Sequence, residues 1–179
     1  MPAHGQRIYL AYGSNLHPDR LEARVGRAQL LGVVRLPGWC LRFEKRGGDG
    51  SAKANLHAAP GAEQTAWAAA YSLRPEQVGR LDVFEGCGSG YETLPMTISM
   101  GQKRIEAFTY LAPAQWISRD LLPFDWYVEL IVHGARHHHF DASYIEHIVA
   151  HPDREDPDHR RAKKALRGMN LPLPTQYKR

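Results

Sequence analysis

Two stretches of this chain carry residues able to do chemistry: a turn at Gly13-Ser14-Asn15-Leu16 and a single carboxylate, Glu85, at the end of a helical run. The turn follows a short apolar run, Ile8-Tyr9-Leu10-Ala11-Tyr12, and a helix signal begins at Pro18. Gly13 lets the backbone turn without a side chain, so the successive N–H groups of Ser14, Asn15 and Leu16 are expected to converge on one carboxylate, phosphate or developing oxyanion. Glu85 stands out for a different reason. In the run from Pro75 the apolar positions Val78 and Leu81 step by three, and the next place on that stripe is Glu85, which puts a carboxylate on the core-facing side. Burial and the negative end of the helix dipole both disfavour its charged form there, as a proton shuttle near neutral pH requires. The competing expectation is a glutamate that reaches solvent or pairs with an arginine such as Arg80 or Arg104. The turn Gly88-Ser89-Gly90 leads into Tyr91-Glu92 and holds Glu85 near a sheet end, with Tyr91 placed to hydrogen-bond a substrate or the carboxylate.

The elements that must position these groups are marked by their punctuation. Pro18 to Val25 reads as a short helix stopped by Gly26, and Pro75 to Glu85 as a second helix capped by Gly86. Two apolar segments, Leu30 to Val34 and Trp39 to Phe43, flank Pro37-Gly38 and predict a hairpin. The polar, glycine-rich Arg46 to Ser51 segment is either a strand connection or a lid over a site. Strands are expected at Ala54 to Ala58, Ala66 to Leu73, Tyr91 to Met100 and Arg104 to Leu111, the last two flanking Gly101-Gln102. Helices follow at Phe124 to His133, Ala142 to Ala150 and about Asp158 to Arg167. The order lacks the regular alternation of a doubly wound sheet, so an α+β fold follows: a small, mixed, mostly antiparallel β-barrel with surrounding helices.

At 179 residues the chain suits one core, expected over residues 7–151, with a charged helix and tail over 152–179. No run approaches the roughly 20 apolar residues of a bilayer span, and residues 1–7 lack the apolar segment of a secretory signal, so a cytoplasmic protein without a membrane partner is expected. Cys40 and Cys87 are then reduced, a single bridge between them being the alternative. The net charge of +4 gathers near the C-terminus, at Arg160-Arg161, Lys163-Lys164, Arg167 and Lys178-Arg179. Asp153, Glu155, Asp156 and Asp158 precede this run and no aromatic residues interleave with it, which favours a solvated helix over a nucleic-acid surface. His147 and His151 have the i, i+4 spacing of helical metal ligands, but Glu146 does not complete a zinc-protease motif and the trio His137 to His139 diverges around a helix, so no metal is expected.

The Ala11-Tyr12-Gly13-Ser14-Asn15-Leu16 loop after an N-terminal strand, the Leu81 to Gly86 helix end, Tyr91 beyond it and the Trp126-Tyr127-Val128-Glu129 helix with Gly134-Ala135 resemble the gamma-glutamylcyclotransferase family and the related plant AIG2-like proteins. The resemblance spans about residues 8 to 150. It implies a small β-barrel with a cavity where loop and glutamate meet, and a cofactor-free intramolecular aminolysis. In that reaction the α-amine of a γ-glutamyl compound attacks its own γ-carbonyl, giving 5-oxoproline and the released amine. It further implies Glu85 as general acid/base and Tyr12, Gly13, Ser14, Asn15, Leu16, Tyr91 and Tyr127 as the substrate-binding set. The only partner implied is a small γ-glutamyl molecule, bound by a monomer or homodimer. Two other readings stay open at this point: a γ-glutamylamine cyclotransferase or γ-glutamyl-metabolite deprotecting enzyme, and a non-catalytic small-molecule binding module.

Overall fold

The computed structural model of the chain describes residues 5–60, 64–167, 171 and 177. Residues 1–4 and the terminal basic pair Lys178-Arg179, both read above, lie outside them. Strands β1 (Arg7–Ala11), β2 (Gln29–Pro37), β5 (Thr65–Leu73), β6 (Glu92–Met100) and β7 (Lys103–Leu111) form one sheet in the order β2-β5-β1-β7-β6, and β3 (Trp39–Arg46) pairs with β4 (Ala52–Ala58). Every pairing is antiparallel except β1 with β7, which meet in parallel at Tyr9 and Phe108. Helices α1 (Pro18–Val25), α2 (Pro75–Glu85), α3 (Asp125–His137), α4 (Ala142–Val149) and α5 (His159–Arg167) surround the strands. The sheet curls into a half-barrel, and its edge strands approach where the Met100 methyl lies 3.5 Å from the Cβ position of Gly32. The α+β architecture is the one the sequence predicts.

β1 sits at the centre of the sheet because four consecutive residues, Ile8 to Ala11, are apolar enough to be buried on both faces. β5, built largely of alanine, is a strand against its intrinsic propensity. It lies between β1 and β2 with Ala66, Ala68, Ala69 and Ala70 fully buried, where small side chains let neighbouring layers close in.

The expected Pro37-Gly38 hairpin does not form. β2 pairs with β5 as far as Pro37↔Thr65, and β3 pairs with β4 from Trp39↔Ala58 onward. Gly38, at φ +79°, bends one long antiparallel ribbon so that it passes from the first sheet to the second. The ribbon's true turn is Gly47 to Ser51, closed by Gly47 N–H to the Ser51 carbonyl at 2.8 Å. A Pro-Gly pair is equally suited to a corner and to a hairpin turn, and only the choice of partner strand separates the two.

The two helices flanking the candidate site begin and end where their prolines and glycines put them. Gly86 adopts the left-handed conformation (φ +61°) and returns its N–H to the carbonyls of Asp82 and Val83, which fixes the last turn of α2. Gly134 of α3 lies where a Cβ would come within 2.7 Å of Leu16 Cβ and 2.8 Å of the His17 backbone nitrogen, so α3 passes directly beneath the loop that follows β1.

The C-terminal helix is not a solvated appendage. Ala162 and Leu166 of α5 and Tyr177 belong to the buried core, and fully buried Asp156 accepts from Trp126 Nε1 at 2.7 Å and from Arg161 at 2.6 and 2.8 Å. Ala162 and Leu166, four residues apart, form an apolar stripe on an otherwise basic helix, and the charge count hides it. Cys40 and Cys87 are free thiols. Among the described residues no helix is long and apolar enough to cross a membrane.

Candidate active site

Beyond β1 the chain turns through Gly13-Ser14-Asn15 into α1. The turn closes when Leu16 N–H donates to the Gly13 carbonyl at 2.9 Å. That bond removes Leu16 from the expected anion cradle. The N–H groups of Ser14 and Asn15 have no protein acceptor among the described residues. Leu16 is fully buried and does not line the cavity, its carbonyl taken by the Tyr71 hydroxyl at 3.1 Å and His138 Nε2 at 2.7 Å. Gly13 is needed here for close approach rather than for a left-handed backbone, because a Cβ on it would sit 3.1 Å from Ala54 Cβ on β4.

Glu85, in the last turn of α2, points at this turn with its side chain 15% exposed. Asn15 Nδ2 donates to Glu85 Oε1 at 2.7 Å, Arg24 Nη1 of α1 donates to the same oxygen at 3.2 Å, and Arg24 also donates to Asn15 Oδ1 at 2.6 Å. The arginine beside Glu85 is therefore Arg24, not Arg80 or Arg104. Two donors hold Oε1, while Oε2 has no partner among the described residues, which leaves one carboxylate oxygen fixed and the other available for proton transfer. Neither Arg24 nor the Asn15 side chain is marked by the sequence pattern, because their role arises only when α1 packs on α2.

A narrow cavity opens between the turn and Glu85, lined by Gly13, Ser14, Asn15 and Ala54 and by five tyrosines: Tyr9, Tyr12, Tyr91, Tyr110 and Tyr127. Tyr9 and Tyr110 join the three tyrosines expected from the sequence. Burial raises the pKa of all five, so they stand protonated at neutral pH as hydrogen-bond donors. Three of these protons are already used: Tyr12 donates to the Tyr110 carbonyl at 2.7 Å, Tyr91 to the Ala54 carbonyl at 2.6 Å, and Tyr110 to Asp82 Oδ1 at 2.5 Å. Tyr91 is thus spent on β4 and not on Glu85. Tyr127 instead accepts from Ala54 N–H at 3.1 Å and Tyr9 accepts from Asn15 Nδ2 at 3.1 Å, and neither hydroxyl proton has an acceptor among the described residues. Among the described residues the unengaged donors at the cavity therefore include Ser14 N–H, Asn15 N–H, Tyr9 O–H and Tyr127 O–H.

Ser14, Glu85, Tyr91 and Tyr127 also wall a wider cleft of about 280 Å³, bounded on its other side by Lys45, Lys53 and the β3–β4 turn. That turn is tied down by Asp49, which accepts from Lys53 at 2.7 Å and from the Ser51 hydroxyl at 2.8 Å. The glycine-rich segment both joins strands and forms a wall of the cleft. Among the described residues no group of histidine, cysteine and carboxylate side chains is placed to hold a metal ion.

The curled half-barrel thus places one carboxylate, held by Asn15 and Arg24, beside a donor-lined slot, an arrangement chemically able to hold an anionic or carbonyl group and to exchange a proton with it. Residues 9–128 match the family model described as gamma-glutamyl cyclotransferase, AIG2-like, and the chain belongs to this family. Its fold is similar to that of a solved structure titled gamma-glutamyl cyclotransferase, with a TM-score of 0.76 and 23% identity, covering 89% of this chain and 99% of that one. It is equally similar to an uncharacterized protein from Homo sapiens, with a TM-score of 0.76, 22% identity and coverages of 86% and 92%. The YkqA protein of Bacillus subtilis shares the fold with a TM-score of 0.69 and 19% identity over 84% of this chain and 57% of that one. No curated protein matches the chain.

Proposed function

We propose that the protein is a γ-glutamyl cyclotransferase that converts a γ-glutamyl-amino acid or related γ-glutamyl compound into 5-oxoproline and the released amine, with Glu85 as general acid/base. The observation that carries this reading is the asymmetry of Glu85: Oε1 is held by Asn15 and Arg24, and Oε2 is left free beside a slot with unengaged donors. An α-amine with a pKa near ~8 is mostly ammonium at neutral pH and cannot attack until a base takes a proton. Glu85 Oε2 takes that proton. The amine then closes on the γ-carbonyl carbon, forming the ring C–N bond as the carbonyl oxygen gathers negative charge. Donors of the turn and the Tyr127 hydroxyl offset that charge, a role in which one lost donor typically costs about 3 kcal/mol. The carbonyl re-forms and the original amide C–N bond breaks as Glu85 gives its proton to the departing nitrogen; the second proton of the new ring nitrogen then passes by way of the freed carboxylate to the released amine, which departs as ammonium. No water or cofactor is consumed. Holding the substrate folded, amine against carbonyl, supplies the proximity that an unconstrained chain lacks.

The test is to incubate the protein with γ-glutamyl-amino acids and γ-glutamyl-amines and to quantify 5-oxoproline, glutamate and released amine by mass spectrometry. Equimolar 5-oxoproline and amine support cyclotransfer, and the better leaving-group class separates an amino-acid enzyme from an amine enzyme. Glutamate in place of 5-oxoproline would make the protein a hydrolase. Ligand binding with neither product would make it a binding module.

A further inference from the structure

We propose that the cleft beside Glu85 is a leaving-group subsite that selects γ-glutamyl compounds whose departing amine carries an anionic group, a carboxylate or a phosphate, held between Arg20 and Lys45. The inference rests on the reading of the site as a cyclotransferase. If the glutamyl moiety fills the slot and Glu85 protonates the departing nitrogen, whatever is attached to that nitrogen extends past Glu85 into the space that Ser14, Glu85, Tyr91 and Tyr127 share with the cleft.

That cleft is lined by four cations, Arg20, Arg24, Lys45 and Lys53, and by two carboxylates, Asp49 and Glu85. Lys53 is paired with Asp49 at 2.7 Å and Arg24 with Glu85 at 3.2 Å. Arg20 and Lys45 have no carboxylate partner among the described residues, and they stand on different elements, α1 and β3, at the walls of the same cleft. Arg20 Nε is sealed from solvent with no hydrogen-bond partner among the described residues. Burial and the neighbouring positive charge of Arg24 work against its own charge, so its pKa falls to about 10 and the side chain is still cationic at neutral pH. A largely buried guanidinium with an unmet N–H, set beside a like charge, is costly unless an anion completes it. Lys45 Nζ is held 5.0 Å from the Tyr91 ring and 5.4 Å from the Trp116 ring, a placement by aromatic faces, and its N–H donors have no acceptor among the described residues. Arg20 also faces a groove toward α5, where Asp19, the one lining carboxylate among the described residues, is more than half exposed and makes no ion pair with it. A planar guanidinium and an ammonium across one cleft suit a carboxylate or phosphate and repel an ammonium.

The test uses γ-glutamyl derivatives of four amines of similar length: propylamine, β-alanine, 2-aminoethyl phosphate and 1,3-diaminopropane. The expected kcat/KM for the carboxylate or phosphate leaving group exceeds that for propylamine by about 10- to 100-fold, the range for one or two charge-assisted hydrogen bonds. The diaminopropane derivative should be the poorest, and the better of the two anions identifies the group. Arg20→Met and Lys45→Met should each lower the anionic-to-neutral ratio, and Arg20→Lys should restore part of it. A merely structural Arg20 would lower all four substrates together and leave the ratio unchanged, which would overturn the assignment. Titration calorimetry of the same compounds with the Glu85→Gln protein reads the subsite without turnover. Tighter binding of the anionic derivatives there supports the subsite even if no 5-oxoproline is ever formed. Equal binding of anionic and neutral derivatives overturns the subsite while leaving a measured cyclotransfer intact.

Discussion

Replacing Asn15 with leucine removes one buried side chain that holds three others. Its amide donates to Glu85 Oε1 at 2.7 Å and to the Tyr9 hydroxyl at 3.1 Å, and its carbonyl accepts from Arg24 at 2.6 Å. Hydrogen bonds to charged groups contribute about 1.5–3 kcal/mol and neutral ones about 0.5–1.5 kcal/mol, so the gross loss is roughly 4–7 kcal/mol. Two effects reduce it. The direct Arg24–Glu85 pair at 3.2 Å survives, and both partners keep some solvent contact, 19% and 15% of their side chains, so water replaces part of what is lost. Leucine is close in volume and adds apolar burial at a position only 2% exposed. The net cost is expected at about 2–4 kcal/mol, a fall in Tm of roughly 4–16 °C for a domain of this size. Scanning calorimetry gives the Tm, and a double-mutant cycle with Glu85→Gln isolates the coupling. A loss below about 1 kcal/mol together with a coupling below about 0.5 kcal/mol would refute the claim that Asn15 fixes the carboxylate.

Gly134→Ala should lower stability by about 1–3 kcal/mol, read as a reduced urea midpoint, since the new methyl meets Leu16 Cβ at 2.7 Å and backbone at 2.8 Å, where nothing yields cheaply. An unchanged midpoint would mean that α3 does not press on the loop. Asp156→Ala leaves Trp126 Nε1 and Arg161 without their carboxylate, and the midpoint should fall by the equivalent of about 3–5 kcal/mol. A fall under about 1 kcal/mol would return the C-terminal helix to a solvated role. Burial holds the pKa values of His17 and His138 below the ordinary 6.5, so both favour the neutral form when folded. Above pH 6.5 they contribute nothing to the pH dependence. As pH falls from 6.5 toward the lowered folded values, the unfolded chain takes up protons that the folded one refuses, and stability drops. The urea midpoint should fall between pH 7.5 and 5.5 and fall less in His138→Gln, whose amide can still donate to the Leu16 carbonyl; an identical slope in the variant would contradict this.

What the chain's residues reveal in advance is local. Pro18 with Gly26 and Pro75 with Gly86 bound α1 and α2 to the residue, because prolines and glycines act through their own backbone angles. The spacing from Val78 to Leu81 to Glu85 gives the carboxylate its face for the same reason. Pairing choices are not local. Pro37-Gly38 has the chemistry of a turn and is used as a corner, because β2 finds β5 rather than β3. Likewise Arg24 reaches Glu85 across 61 residues of sequence, and no periodicity within α1 announces it. Tyr9 and Tyr110 face the cavity because β1 and β7 are near neighbours in the sheet, a register known only once the sheet is assembled. The C-terminal stripe Ala162 and Leu166 is present in the sequence, but its partners Trp126 and Asp156 are assigned by tertiary packing.

The most direct test of the account compares the protein with Glu85→Gln, measuring the rate of 5-oxoproline formation and, separately, the affinity for a γ-glutamyl substrate by calorimetry. Glutamine keeps the shape and still accepts from Asn15, but its free end is an amide that cannot exchange a proton. The expected result is a fall in kcat of about 10²- to 10⁴-fold, the usual contribution of a positioned acid/base, with affinity changed only a few-fold. Turnover by the glutamine variant at nearly the parent rate would contradict the role of Glu85.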